Sequence, residues 1–99
     1  MKILVLPKPR EDVPLEARQQ HVGEEIQAVW DLYAQGIVRE FYTRAGQPGR
    51  VVLILECETV EVAKEALATL PFARLGMIDF DLTPLAPFTG LSRLFEAAS

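Results

Sequence analysis

Two pairs of side chains and one lone arginine have the type and spacing to do chemistry: Asp79 with Asp81, His21 with Glu25, and Arg39. The two aspartates sit in an alternating run, so both point to one side, ~7 Å apart along it. Inside a pocket, carboxylates that near each other push one pKa upward and make an acid and base pair. In a structural role they cap backbone amides or pair with arginines such as Arg39 and Arg74. His21 is the only side chain that titrates near neutrality unaided, and Glu25, one helical turn on, would fix the tautomer of such a base. The same spacing is common on any helix surface. Arg39 stands in mid-strand, where an arginine is either paired with Glu40, Glu56 or a helix carboxylate, or bound to an anion. Tyr42 reads as a packing residue with its hydroxyl at a rim. Cys57, at the end of an apolar run, reads as a small core residue, with a nucleophilic thiol as the alternative.

These residues need elements to hold them. Lys2 to Leu6, closed by Pro7 and Pro9, reads as a buried strand. Asp12 or the Pro14 region opens a helix that continues to about Tyr33, with Val22, Ile26, Val29, Trp30 and Tyr33 as one apolar stripe and Gly36 just past its end. Ile37 to Arg44 is a second strand whose two faces are both mixed. Unbroken alternation puts Ile37 and Phe41 on the side of Arg39, a mixture of ring and aliphatic surface beside one cation. Val38, Tyr42 and Arg44 then share the side of Glu40, packed against Trp30 and Tyr33. A Gly- and Pro-rich hairpin leads to a third strand, Val51 to Glu58, and Thr59 caps a helix that stops at Leu70 because Pro71 follows. Met77 to Thr83 alternates, with Ile78, Phe80 and Leu82 on one face and Met77, Asp79, Asp81 and Thr83 on the other. Pro84 and Pro87 end that strand. Thr89 caps a short amphipathic tail with Leu91, Leu94 and Phe95 on one side; it packs on the domain or on a partner.

The order β-α-β-β-α-β is the ferredoxin-like α+β arrangement: one four-stranded antiparallel sheet with both helices on one face. The whole chain, residues 1–99, is one domain, with residues 87–99 as the short C-terminal helical tail. With 49% hydrophobic residues it holds more apolar surface than a domain this small can bury, and a sheet bare on one side needs a cover. A homodimer with sheets face to face is the expected solution. A net charge of −4 and a pI near 4.9 argue against nucleic acid and anionic membrane as partners. No apolar stretch has the length of a signal sequence or a membrane span, so the expected location is the cytoplasm. One His, one Cys and scattered carboxylates supply no metal set, no glycine-rich loop opens a helix to cradle phosphate, and no cofactor is expected.

Gln35-Gly36-Ile37-Val38-Arg39, Leu70-Pro71 and Met77-Ile78-Asp79-Phe80-Asp81-Leu82-Thr83-Pro84-Leu85 resemble the muconolactone isomerase-like family of the dimeric α+β-barrel group, over most of the chain. The resemblance implies a two-subunit α/β barrel, in some cases built into larger rings, with a pocket between sheet and helices. It also implies an enol-lactone isomerised by proton transfer without metal or organic cofactor. The sequence departs from that pattern at Glu40, where the family carries a histidine after the arginine, and in the tail from Pro87.

Such a reaction needs a base for a carbon-bound proton and a cation or donor for the enolate oxygen. The expected activity is isomerisation, or a related reaction, of a small carboxylated lactone or cyclic enol ester. Arg39 would bind the anion, Asp79, Asp81 or His21 would move the proton, and Glu25, Phe41 and Tyr42 would contact substrate. The alternative is a barrel that binds a ligand, or serves structurally, without catalysis.

Overall fold

The computed structural model describes residues 1–96; the last three residues of the expected tail lie outside the described residues. In chain order the elements are β1 (Lys2–Pro9), α1 (Leu15–Gln19), α2 (Val22–Ala34), β2 (Val38–Thr43), β3 (Val51–Glu56), α3 (Val60–Ala68), α4 (Pro71–Arg74), β4 (Ile78–Leu85) and a 3₁₀ helix at Gly90–Phe95. The strands form one antiparallel sheet in the order β2-β3-β1-β4. That order makes the fold ferredoxin-like α+β.

The period of two decides what the helices cover. Ile3 and Val5 of β1, Leu53 and Leu55 of β3 and Val38 of β2 all point to the helix side and are fully or nearly fully buried. Leu32 of α2, Ala63 and Leu67 of α3, and Leu70 meet them there. Each such Leu or Val taken from water contributes about 1.5–3 kcal/mol, which is how two short helices are held on the sheet. The opposite face carries Leu4, Leu6, Val52 and Ile54 among charged neighbours, and no element among the described residues lies over it.

Local signals behave as their chemistry requires. Thr59 Oγ1 accepts from the Val62 amide at 3.1 Å and starts α3. Gly36, at φ +81°, turns the chain out of α2. Leu70 is extended, and Pro71 becomes the first residue of α4.

Three expectations are corrected. The single helix from Pro14 to Tyr33 is two helices, α1 and α2, with Gln20 and His21 between them; neither residue is a breaker, and no residue type there marks the joint. β4 does not stop at Pro84 but runs through it to Leu85, opposite Ile3 and Lys2. It is an edge strand, where a missing amide costs no ladder bond if it faces outward. Finally, β2 is not an unbroken alternation. Its pairing shifts between Val38, opposite Leu55, and Glu40, opposite Ile54, which makes Arg39 the extra residue of a β-bulge.

Candidate active site

The bulge sets the composition of the sheet face beneath α2. Across it, Val38 and Phe41 fall on the same side, opposite Leu55 and Leu53, while Glu40 and Tyr42 fall on the bare side, opposite Ile54 and Val52. Phe41 thereby reaches Tyr33 of α2 edge to face, with ring centroids 5.5 Å apart, and Tyr33 in turn lies 5.2 Å from Trp30. Phe41 and Trp30, the two ends of this row, border a cavity of about 430 Å³ between sheet and helix, within the size range of small-molecule sites. Leu53, Ile78 and Phe80 line it from the sheet, and Val22, Ile26 and Val29 from α2. A second hollow, between α2 and α4 and lined by Glu24, Gln27, Asp31 and Arg74, is a wide-open surface depression.

Two charged side chains contribute to the wall of the apolar cavity, Glu25 and Arg18. Glu25 stands in the first turn of α2 and turns inward, where its Oε1 accepts from the Phe72 amide of α4 at 3.0 Å. Burial raises its carboxyl above the usual range, and the Phe72 amide pulls it part of the way back. Arg18 comes from the last turn of α1, and its Nε is enclosed without a hydrogen-bond partner. A carboxyl that binds its proton more firmly than usual and a guanidinium whose Nε has no partner thus share one greasy chamber. That combination can move a proton and hold an anion.

The candidate residues separate into two groups. Glu25, Phe41 and Tyr42 are brought to the cavity wall, although Tyr42 turns its side chain to the bare face, where its hydroxyl donates to Glu40 Oε1 at 2.6 Å. His21, Arg39, Asp79 and Asp81 do not line the cavity. His21 lies at the joint between α1 and α2, with Nδ1 enclosed and 3.5 Å from a carboxylate oxygen of Glu24. The expected partner, Glu25, is engaged by Phe72 instead. Arg39 is exposed and donates from Nε to the Gly36 carbonyl at 3.0 Å, because the bulge removes it from the alternation that would have aimed it at Phe41's side. Its charge also acts on Glu56, which is held below the usual carboxylate range first by a hydrogen bond from the N-terminal ammonium, 2.7 Å away, and to a lesser degree by Arg39. Asp79 and Asp81 do share a face, as their spacing requires, but it is the bare one. Asp79 stands opposite Lys8, and Asp81 meets the Lys8 ammonium at 3.6 Å. Cys57 is buried in the core, and burial pushes its thiol up, away from nucleophilic character. Among the described residues, no three His, Cys, Asp or Glu side chains converge as metal ligands would.

Sequence reasoning missed Arg18. Its signal was present: Arg18, Val22, Glu25 and Val29 follow one another at spacings of four, three and four, so both charges lie beside the apolar stripe.

No family model and no curated protein matches this sequence. Solved structures do resemble it. A muconolactone isomerase superposes with a TM-score of 0.70 at 20% identity, over 91% of this chain and 93% of the other. A 5-chloro-2-hydroxyhydroquinone dehydrochlorinase from Burkholderia phenoliruptrix AC1100, in complex with 2,5-dihydroxybenzoquinone, gives 0.69 at 17% identity, over 87% and 94%. At these identities the likeness is one of fold.

Proposed function

We propose that this chain is a cofactor-free isomerase, or a related enzyme, acting on a small carboxylated lactone or cyclic enol ester bound between sheet and α2. The observation that carries this reading is Glu25, a carboxyl of raised pKa in an otherwise apolar chamber that Arg18 shares. In this scheme the Glu25 carboxylate takes a proton from a carbon next to the lactone carbonyl. The C–H electron pair moves into the enolate, and the protonated Glu25 returns the proton at the far carbon, which shifts the double bond. Arg18 holds the substrate carboxylate or the enolate oxygen. Glu25 takes the part that the sequence offered to Asp79, Asp81 and His21, and Arg18 that of Arg39. The two similar folds belong to proteins named as an isomerase of a lactone and a dehydrochlorinase of a ring compound, which supports a ring-shaped substrate.

Two copies pack with their bare sheet faces together in this proposal, since Leu4, Leu6, Val52 and Ile54 would otherwise stay in contact with water. No helix among the described residues is long and apolar enough to cross a membrane, and the proposed location is the cytoplasm. One observation favours a second reading: the Glu25–Phe72 bond gives that carboxylate a structural task, as in a ligand-binding barrel without chemistry. A thermal-shift screen of small carboxylated lactones and aromatic acids, followed by proton-exchange NMR on any binder in deuterated water, separates the two. The enzyme reading expects deuterium to enter a binder's ring, and Glu25→Gln to stop the exchange while binding persists. Binding without exchange selects the second reading, and no binder that responds to Arg18→Met defeats both.

A further inference from the structure

The apolar chamber has a direction. Along the α1–α2 axis Arg18 comes first, Glu25 seven residues later and Trp30 five after that, steps of roughly 10 Å and 7 Å at the helical rise. The joint does not turn the axis back. Gln20 is helical, at φ −65° and ψ −21°, and His21 holds ψ at 7°. The His21 and Glu25 amides donate to the Arg18 and His21 carbonyls at 3.0 and 2.9 Å. One end of the chamber therefore carries a guanidinium, the middle a carboxyl, and the other end the Trp30 and Phe41 rings.

The charges set the head of a ligand. Arg18 and Glu25 do not satisfy each other: Glu25 Oε1 is taken by the Phe72 amide, and Arg18 Nε is enclosed without a partner. One negative group on a ligand answers Arg18. A second would lie beside Glu25, or against the apolar wall with no counter-charge. Volume sets the rest. At the roughly 30 Å³ that a water molecule occupies in the liquid, 430 Å³ is room for about fourteen. A single small ring seated between Arg18 and Glu25 leaves the far end wet, where Val29, Leu53 and Phe80 give water nothing to bond.

We infer that the substrate is a monocarboxylate drawn out by an apolar tail: its carboxylate on Arg18, its lactone or enol ester ring beside Glu25, and an aryl or alkyl tail between Trp30 and Phe41. The tail adds affinity in proportion to the apolar area it removes from water, roughly fourfold per methylene, and a terminal ring meets the Phe41 and Trp30 rings in the offset or edge-on contacts that aromatic pairs favour. The inference rests on the reading of this chamber as the substrate site, and it adds the class of molecule on which the proton transfer acts.

Trp30, the sole tryptophan, stands at the tail end and reports occupancy. Full-length protein is titrated with phenylacetate, phenylpropanoate and phenylbutanoate, and with phenylbutanol as the uncharged control, by Trp30 emission and by equilibrium dialysis. The expected Kd falls about threefold to fourfold with each methylene, and the alcohol binds at least about tenfold more weakly than its acid. Arg18→Met brings phenylbutanoate down to the level of the alcohol. Phe41→Ala, at a residue 47% exposed, flattens the chain-length slope and keeps the preference for the acid; Phe41→Leu serves if circular dichroism shows the alanine variant unfolded. Equal Kd values for the three acids, an alcohol that binds as well as its acid, or no binding by any of the four overturns the inference. The enzyme reading is decided separately, by deuterium exchange. Exchange into a short lactone acid without any chain-length slope leaves that reading intact and removes the tail, while the slope without exchange keeps the ligand class and removes the chemistry.

Discussion

Replacing Glu25 separates its two properties, the hydrogen bond it accepts and the charge it carries. In Glu25→Ala the Phe72 amide, partly buried and bonded to a residue 47 positions away, loses its acceptor. Leaving such a donor unsatisfied costs about 1–3 kcal/mol, and each kcal/mol lowers the melting temperature of a domain this size by about 4–8 °C. Glu25→Gln keeps an acceptor oxygen for Phe72 and removes only the charge, so it is expected within about 0.5 kcal/mol of the parent at pH 4. The pH dependence supplies the second half. Because desolvation raises the Glu25 pKa in the folded state above its reference of 4.5, the native protein binds that proton more tightly than the unfolded chain. Between the two values the native state carries the extra proton, and stability falls as pH rises; below both, no penalty remains. Glu25→Gln therefore gains on the parent from about pH 4.5 upward, until the raised folded pKa is passed. Urea unfolding followed by Trp30 emission, at one fixed protein concentration because association shifts midpoints, measures both effects. A glutamine variant as unstable as the alanine variant, or a parent whose stability relative to Gln is flat with pH, would refute the reasoning.

Thr59→Ala removes the oxygen that accepts from Val62 and is expected to cost about 1 kcal/mol, with Thr59→Ser restoring most of it in the same urea titration. Arg39→Ala loses one exposed bond to Gly36, so it should change stability by less than about 1 kcal/mol and leave any thermal shift from a carboxylated ligand intact; loss of that shift would return Arg39 to the site.

The acidic strand illustrates what a sequence can reveal. Ile78 is buried and Asp79 exposed, as a period of two demands, and the topology followed from the number and order of such runs. What alternation lacks is an absolute sign. It put Asp79 and Asp81 on a common face, but whether that face lies under helices is decided by the other strands. In β2 the sign itself changes partway along, because a single extra residue at Arg39 exchanges the faces of everything after it. No residue type announces a bulge there, so the side chains of Arg39 and Phe41 are parted only in three dimensions. The inward turn of Glu25 was hidden for a related reason: its partner, the Phe72 amide, is far along the chain and belongs to a backbone that has no letter in the sequence. Arg18, by contrast, stood in plain order, four residues before Val22, where the apolar stripe begins.

The proline inside β4 bears on how this chain avoids its own kind. An edge strand of eight residues is a template on which another strand can add, the first step toward open-ended fibres. Pro84 has no amide to give a pairing strand, and Asp79 and Asp81 put like charges in the way of a second β4 laid alongside. Both features disfavour growth strand by strand at one margin of the sheet. Contact through the broad faces stays open, and a face-to-face meeting closes on itself at two.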